Sequence, residues 1–210
     1  MTRGYPIVLD LTGRPCLVVG GGVVAEPRVE GLLSAEARVT VVSPAVTARL
    51  AARIAAGEVA HVAREYRAGD LVGMALAFAA TDDGVVNGAV ADEGRERGVW
   101  VNAADDPAHC DLFLPAVVRR GPLVVAVSTG GTSPALARAI RKELEAYFSE
   151  DYAVLAEIVA EVRWDVRRCG RRPSAEAWAR GLGPDLRRLI VDGRPEDARR
   201  YLVEQLGSST

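Results

Sequence analysis

A short apolar run that ends on three consecutive glycines constrains this chain more than any other stretch. Residues 16–25 read Cys-Leu-Val-Val-Gly-Gly-Gly-Val-Val-Ala, and the part up to Val19 is typical of a buried parallel strand. Gly20, Gly22 and Ala25 match G-x-G-x-x-A, the dinucleotide-binding fingerprint. In that pattern the first glycine permits a tight turn, the second lets a pyrophosphate approach the backbone, and the last small residue lets the helix pack on the strand. A glycine turn used only for packing is the alternative interpretation.

The sequence around this turn favours nucleotide binding. Apolar residues at helical spacing follow it, and residues 39–42 predict a second strand. A helix that begins near Val23 would point its free N–H groups and the positive end of its dipole at the phosphates. Val23 and Val24 are therefore candidate cofactor contacts, together with the glycines. Pro27 falls near the first turn of this helix and is expected to shorten or bend it.

Strand and helix patterns alternate up to about residue 103, which predicts an α/β fold: a Rossmann-like parallel sheet with helices on both faces. Ligands bind beyond the carboxyl ends of such strands, so residues that follow strands are candidates for one site. These residues are Gly20, Gly22, Ser43, Pro44, Thr81, Asp82 and Asp105. The second strand ends without the acid that commonly holds the ribose, so the choice between NAD and NADP stays open. Asp82 and Asp83 also suit an ordinary turn.

The pattern changes after residue 107. Strands are predicted at 112–118 and 123–127, and a turn of residues 119–122 would join them as an antiparallel hairpin. Ser133 and Pro134 predict the N-cap and first residue of a helix, and the glycine-rich approach to it is a second place for backbone N–H groups to hold an anion. The rest of the chain is predicted to be helical. The expected domains are 1–110 for NAD binding, 111–148 for dimerisation and substrate, and 149–210 as a C-terminal helical domain.

Positive charge is concentrated in one region of the chain. Residues 107–142 contain five basic side chains and one acid, a net charge of +4, although the whole chain carries −2. Such a region favours an anionic substrate, and a solvated face is the alternative. The candidate contacts are Arg119, Arg120, Arg138 and Arg141.

Composition excludes several other classes of protein. The slightly negative net charge gives no general attraction to nucleic acid or to anionic membranes, and no apolar run is long enough to span a bilayer. The first residues lack the apolar core of a signal peptide, so the cytoplasm is expected. The three cysteines are far apart and odd in number, which argues against a disulfide framework or a zinc site. No resident metal is predicted, and His61 is expected on the face of a strand.

Taken in order, the motifs resemble the precorrin-2 dehydrogenase family, the dehydrogenase and ferrochelatase module of siroheme synthesis. The matching pieces are residues 18–25, 79–83 with Asn87, 101–105 and 127–138. The resemblance implies oxidation of precorrin-2 to sirohydrochlorin with NAD, with Asp105 as the catalytic aspartate. It also implies a homodimer and an anionic tetrapyrrole as substrate. Substrate contacts are expected at the arginines named above and at Ser128, Thr129, Gly130 and Ser133.

The sequence departs from the family pattern at a few positions. Thr129 stands where some members carry a serine that can be phosphorylated, so that regulation is not expected. A methyltransferase domain is absent from the sequence, so a stand-alone form is expected.

Three other functions stay open. The first is a bifunctional enzyme that also inserts Fe²⁺; weak or absent iron insertion is expected, since two histidines offer few proton acceptors. The second is a non-catalytic NAD-sensing module, which would not need residues 128–134 or the basic cluster. The third is another short-chain oxidoreductase. That class usually has Tyr-x-x-x-Lys, whereas Lys142, the only lysine, has Arg138 four residues before it.

Overall fold

The computed structural model describes residues 4–104 and 106–207, and these residues form two compact units. One unit ends at Phe113 and the other begins at Leu114. The division into three domains stays a prediction, with residues 114–207 in a single unit here. Asp105, the predicted catalytic residue, lies outside the described residues.

The first unit is built on a five-stranded parallel sheet. Its strands are β1 (Pro15–Val19), β2 (Arg38–Val42), β3 (Val59–Val62), β4 (Leu76–Ala79) and β5 (Trp100–Ala103). Its α-helices are α1 (Ala25–Ser34), α2 (Ala48–Ala55) and α3 (Gly84–Arg97), and a 3₁₀ turn covers Pro107–His109. The strand order is β3-β2-β1-β4-β5, with every neighbouring pair parallel. The order reverses beside β1, which is where ligands bind in open sheets of this kind.

Helices cover both faces of this sheet, as predicted. Alternate residues of a strand point to opposite faces, and β1 divides its side chains accordingly. Cys16 and Val18 pack in a core with residues of α1 and α2. Leu17 and Val19 pack in a second core with residues of α3. Burial on both faces explains why β1 reads as an unbroken apolar run.

Pro27 does not end α1 early. It is the third residue of a helix of ten residues, and the N–H groups of the first turn have no partner within the helix. A proline there removes no helical hydrogen bond, so it does not shorten the helix, and the alternative of a bend stays a prediction.

The second unit combines a hairpin with five helices among the described residues. The hairpin strands are β6 (Ala116–Arg120) and β7 (Leu123–Val127), paired antiparallel. The helices are α4 (Pro134–Tyr147), α5 (Asp151–Arg168), α6 (Ala175–Gly181), α7 (Pro184–Val191) and α8 (Pro195–Gly207). Helices α5 to α8 share an apolar core that includes Val162, Leu186 and Leu202.

The hairpin and the bounds of its second strand are confirmed, but the predicted first strand and turn are wrong. The first strand begins at Ala116 instead of residue 112, and it continues through Arg120. Arg120 pairs with Leu123 across the hairpin, so the turn consists of Gly121 and Pro122 alone. Arg119 and Arg120 are strand residues, not turn residues.

No helix in the described part of the chain is long and apolar enough to cross a membrane.

Candidate functional site

The carboxyl ends of four strands of the first unit are held side by side. Backbone hydrogen bonds continue one residue beyond each strand. They join Gly20 N to Val42 O at 2.9 Å, Ala80 N to Val19 O at 2.8 Å, and Ala104 N to Ala79 O at 2.8 Å. The loops that follow β1, β2, β4 and β5 therefore start at one edge of the sheet, as the sequence predicted.

The three glycines after β1 meet different surroundings. Gly20 has φ of +111°, and a Cβ there would lie 2.4 Å from the carbonyl oxygen of Ala80. At Gly21 a Cβ would lie 2.2 Å from the carbonyl oxygen of Ala45, whereas at Gly22 it would meet no atom within 4 Å. Gly20 and Gly21 are thus required for loop packing, and Gly22 leaves its backbone open to a ligand. The fingerprint assigns no role to Gly21, so its packing role could not be predicted from the motif.

The N-terminus of α1 follows directly and presents backbone N–H groups, of which that of Ala25 already donates to the Gly22 carbonyl oxygen at 3.0 Å. Val24 is the N-cap residue, and no side chain caps the helix among the described residues. Val23 is 75% exposed, so the approach to these N–H groups is open. Backbone N–H groups at a helix N-terminus bind phosphates. Together with the open space at Gly22, these donors fit the pyrophosphate of a dinucleotide.

Ser43, after β2, is committed to its own loop. Its side chain is buried, and its hydroxyl donates to the carbonyl oxygen of Ala45 at 2.6 Å. The same Oγ would lie 2.9 Å from a Cβ added at Gly21. His61 of β3 lies 3.0 Å from the Ser43 carbonyl oxygen through its Nε2. Ser43 therefore shapes the loop under the glycine turn, while Pro44 beside it is exposed.

Thr81, after β4, is held by a buried asparagine. Its Oγ1 donates to Asn87 Oδ1 at 2.8 Å, and Asn87 Nδ2 donates back to the Thr81 carbonyl oxygen at 3.0 Å. Asn87 is only 5% exposed. This pair fixes the loop between β4 and α3, so Asn87 belongs to the site. The sequence signal for it was its place in the matching piece that contains Thr81.

The two aspartates of the same loop differ. Asp83 Oδ1 accepts hydrogen bonds from the N–H groups of Val85 at 2.8 Å and Val86 at 3.3 Å. Asp83 is thus the N-cap of α3, so the turn interpretation is correct for it. Asp82 is exposed, and its side chain forms no hydrogen bond to another described residue.

The segment after residue 105 folds back along β5. Asp106 Oδ2 lies 2.5 Å from His109 Nδ1, a hydrogen bond that lowers the pKa of Asp106. Cys110 donates to a carbonyl oxygen of β5 at 3.1 Å, and burial raises its pKa. Asp111 accepts from a backbone N–H of β5 at 2.9 Å. The adjacent side chains of residues 109–111 thus have three different partners. Among the described residues no group of three or more histidines, cysteines or acids could hold a metal ion.

In the second unit, Thr129 organises the loop before α4. Its Oγ1 accepts from Ser133 N at 3.1 Å and donates to Ser133 O at 3.0 Å. Ser133 caps α4 as predicted, accepting from Leu136 N at 3.1 Å. Ser128 Oγ accepts from Gly130 N at 3.2 Å. The loop is therefore preformed by its own side chains.

The four predicted carboxylate-binding arginines fall into two pairs. Arg120 donates to the carbonyl oxygens of Phe148 at 2.6 Å and Glu145 at 3.2 Å, so it holds the C-terminal end of α4. Arg141 is paired with Glu145 on the same helix. The side chains of Arg119 and Arg138 are exposed and form no ion pair with another described residue. Only these two are free to bind a substrate without breaking an internal contact.

The open sheet, its strand order and the glycine turn define the class: a Rossmann-like α/β protein with a nucleotide site at the carboxyl edge. A family model described as "Putative NAD(P)-binding" matches residues 7–116. A second model, described as "Sirohaem biosynthesis protein central", matches residues 120–147.

Individual proteins give the same result. The siroheme synthase of Nitrosomonas europaea is 40% identical over 208 residues, which cover 98% of this chain and 44% of that protein. The siroheme synthase of Methylococcus capsulatus is 41% identical over 201 residues, covering 95% of this chain and 42% of that protein. This chain thus spans less than half of these curated relatives. A solved structure named SirC, precorrin-2 dehydrogenase, has a TM-score of 0.71 and 28% identity, with 98% of this chain and 100% of that one covered.

The chain therefore belongs to the NAD(P)-binding family of siroheme biosynthesis that its sequence resembled. The family model confirms the predicted nicotinamide dinucleotide cofactor at the level of NAD(P).

Proposed function

We propose that this chain oxidises precorrin-2 to sirohydrochlorin with NAD⁺. The observation that carries the proposal is the structural likeness to SirC, which extends over 98% of this chain and all of that one. A likeness of that extent covers both units, not the nucleotide-binding sheet alone. It also argues against an NAD-sensing module, which would need the first unit only. When bound, NAD⁺ would accept the hydride that the substrate loses.

The first unit supplies the groups that would hold the dinucleotide. The open backbone at Gly22 and the uncapped N-terminus of α1 would bind the pyrophosphate. Val23 and Val24 lie at that N-terminus, and the Thr81–Asn87 pair fixes the neighbouring loop. We propose NAD in preference to NADP on the family resemblance alone.

Asp105 is proposed as the base that accepts the proton lost with the hydride. Ala104, the residue before Asp105 in the sequence, donates from its backbone N–H to the Ala79 carbonyl oxygen at the end of β4, at 2.8 Å. A positioned general base typically contributes about 10²–10⁴-fold to a rate. We assign no catalytic role to Asp106, whose carboxylate is occupied by His109 and by a backbone N–H.

The second unit is proposed to recognise the carboxylates of the substrate. Arg119 and Arg138 are the free cations, and charged pairs between arginine and carboxylate are short and strong. The loop around Ser128, Thr129 and Gly130 would add backbone N–H donors. We omit Arg120 and Arg141 from this set because both already bind groups of α4.

We further propose a homodimer in the cytoplasm. All three cysteines are free thiols, which is the usual state in a reducing compartment.

Efficient iron insertion is not part of the proposal, because the side chains of residues 109–111 are turned to three separate partners.

The test is incubation with enzymatically made precorrin-2 and NAD⁺, followed by absorption spectroscopy. We expect sirohydrochlorin to form with the wild-type chain. Asp105→Ala should fold and bind NAD⁺ yet lose most turnover, whereas Asp106→Asn should keep most of it. Wild-type rates in Asp105→Ala would remove this residue from the mechanism.

Iron insertion is tested separately, with sirohydrochlorin and Fe²⁺ under anaerobic conditions. We expect a rate close to that of the reaction without enzyme. A large enzyme-dependent rate that disappears in Asp105→Ala would make the protein bifunctional.

A further inference from the structure

The helical part of the second unit contains a cavity with an unusual concentration of positive charge. It has a volume of about 630 Å³ and lies where the C-terminal end of α5 leads to α6. Its lining includes Arg163, Arg167, Arg171, Arg172, Pro173 and Trp178. We infer that this cavity binds a compact anion that carries two or more carboxylate or phosphate groups.

The charges of this arginine cavity are not neutralised from within the described residues. None of the ion pairs found there includes one of its four arginines, although other arginines nearby are paired. Arg199 of α8 forms ion pairs with both Glu161 and Asp165 of α5. These two acids of α5 are therefore paired with Arg199, and the four arginines that line the cavity have no acidic partner among the described residues.

The spacing of these arginines is unfavourable without a ligand. Arg163 and Arg167 are one helical turn apart, where like charges destabilise a helix. Arg167 alone could be explained by its place in the last turn of α5, where a cation interacts well with the helix dipole. That explanation does not extend to Arg163, a turn earlier, or to Arg172, beyond the helix. A multivalent anion would offset the repulsion of all of them together.

The cavity is also partly preformed. Arg171 donates from Nη2 to the carbonyl oxygen of Leu206 at 2.9 Å, which fixes this guanidinium against α8. Pro173 and the half-buried indole of Trp178 form an apolar wall. Charge pairs are stronger beside such a wall than in open water. Guanidinium groups bind carboxylate and phosphate through two parallel hydrogen bonds, so both chemistries suit the site. The volume is within the range of small-molecule pockets.

The experiment measures binding of pyrophosphate, citrate and acetate to the full chain by calorimetry and by tryptophan fluorescence, without NAD or tetrapyrrole. We expect pyrophosphate or citrate to bind and acetate to bind much more weakly. The double variant Arg163→Gln/Arg172→Gln should weaken that binding by about tenfold or more, since each removes a charged hydrogen-bond donor. Preference between pyrophosphate and citrate identifies phosphate or carboxylate as the natural group.

The matched control is Arg180→Gln/Arg188→Gln, which removes the same charge from exposed positions of α6 and α7 outside the cavity lining. It should change the affinity less than about twofold, because exposed charges act weakly at a distance in salt. Equal weakening in both double variants would reduce the effect to general charge attraction and overturn the inference. Absence of binding to either multivalent anion would also overturn it. Failure here would leave the proposed dehydrogenase untouched, because the assay contains neither cofactor nor substrate.

Discussion

At Gly21 an added methyl group would lie 2.2 Å from the carbonyl oxygen of Ala45, whereas at Gly22 it would meet nothing within 4 Å. Non-bonded carbon and oxygen atoms do not lie 2.2 Å apart, so the backbone would have to shift to accept this methyl group. The two neighbouring glycines therefore serve different ends, one in packing and one in ligand access. Substitution can separate these roles, because stability and cofactor affinity are measured independently.

We predict that Gly21→Ala lowers the free energy of unfolding by about 1–3 kcal/mol, the usual cost of forcing extra volume into a packed site. Gly22→Ala should change it by less than about 0.5 kcal/mol, as at an open surface position. Urea unfolding of both variants is the measurement. Equal losses at the two positions would contradict the packing difference.

Gly22→Asp should fold like the wild type but bind NAD⁺ at least about tenfold more weakly. Its side chain would project into the open space beside the N-terminus of α1, where its negative charge would repel a pyrophosphate. Calorimetric titration with NAD⁺ measures the affinity, and Gly22→Ala separates the effect of charge from that of bulk. Unchanged affinity in a folded Gly22→Asp would place the cofactor elsewhere.

Helix α3 anchors the segment that precedes β4 through one buried carboxylate. Glu93 is 6% exposed and accepts hydrogen bonds from the Tyr66 hydroxyl, from Gly69 N at 2.8 Å and from Arg97 Nε at 2.5 Å. Burial raises the pKa of Glu93, but the hydrogen bonds from Tyr66, Arg97 and Gly69 outweigh it and hold the pKa below its ordinary 4.5. Burial and the hydrogen bond to Glu93 also raise the pKa of Tyr66.

We predict that Glu93→Gln lowers the free energy of unfolding by about 1–3 kcal/mol at pH 7, because buried donors lose their charged acceptor. A carboxyl whose pKa is lower in the folded state stabilises the protein above its unfolded pKa, and that contribution disappears as the pH falls through the folded pKa. The difference from wild type should thus persist from pH 7 to 5 and shrink below pH 4.5. Urea unfolding across this range measures it.

Asp92→Asn, at an exposed ion pair, is the control, with an expected effect of about 0–1 kcal/mol. A loss independent of pH would mean that Glu93 acts through packing alone.

The elements of the first unit could be predicted well from sequence because each is encoded locally. β2 begins within one residue of the strand predicted at 39–42 and ends where predicted, since buried parallel strands read as apolar runs that end at glycine, proline or polar residues. The N-caps Asp83 and Ser133 also carry local signals. Elements that a local pattern specifies can thus be located from the sequence to within a few residues.

The bounds of the first hairpin strand and of the turn could not be predicted, because distant contacts decide them. Leu112 resembles a strand residue, yet its carbonyl oxygen accepts from the Asn102 side chain at 3.0 Å and its side chain packs on the core of the first unit. Arg120 resembles a turn residue, yet its guanidinium binds carbonyl oxygens at the end of α4. Because of these contacts, Arg120 is not free to bind a substrate carboxylate. The partners of Leu112 and Arg120 lie at least ten residues away in the sequence, so local periodicity does not indicate these contacts.

At the scale of the molecule, the hairpin leaves one face without a cover from its own unit. Val118 of β6 is buried, while Arg119 and Val124, paired on the opposite face, are exposed. Among the described residues β6 and β7 pair only with each other, and a two-stranded sheet alone is marginally stable in water. A second copy of the chain that covers this face would bury Val124 and satisfy the free strand edges.

We therefore predict that light scattering at micromolar concentration gives a mass of twice the 22.3 kDa of one chain. Val124→Lys should shift the mass toward one chain, because it places a charge in the buried centre of the proposed interface. Val191→Lys is the matched control, since Val191 is an exposed residue of α7, and it should remain dimeric. A wild-type mass of one chain would refute the dimer. A dimeric Val124→Lys would keep the dimer but move its interface away from the hairpin.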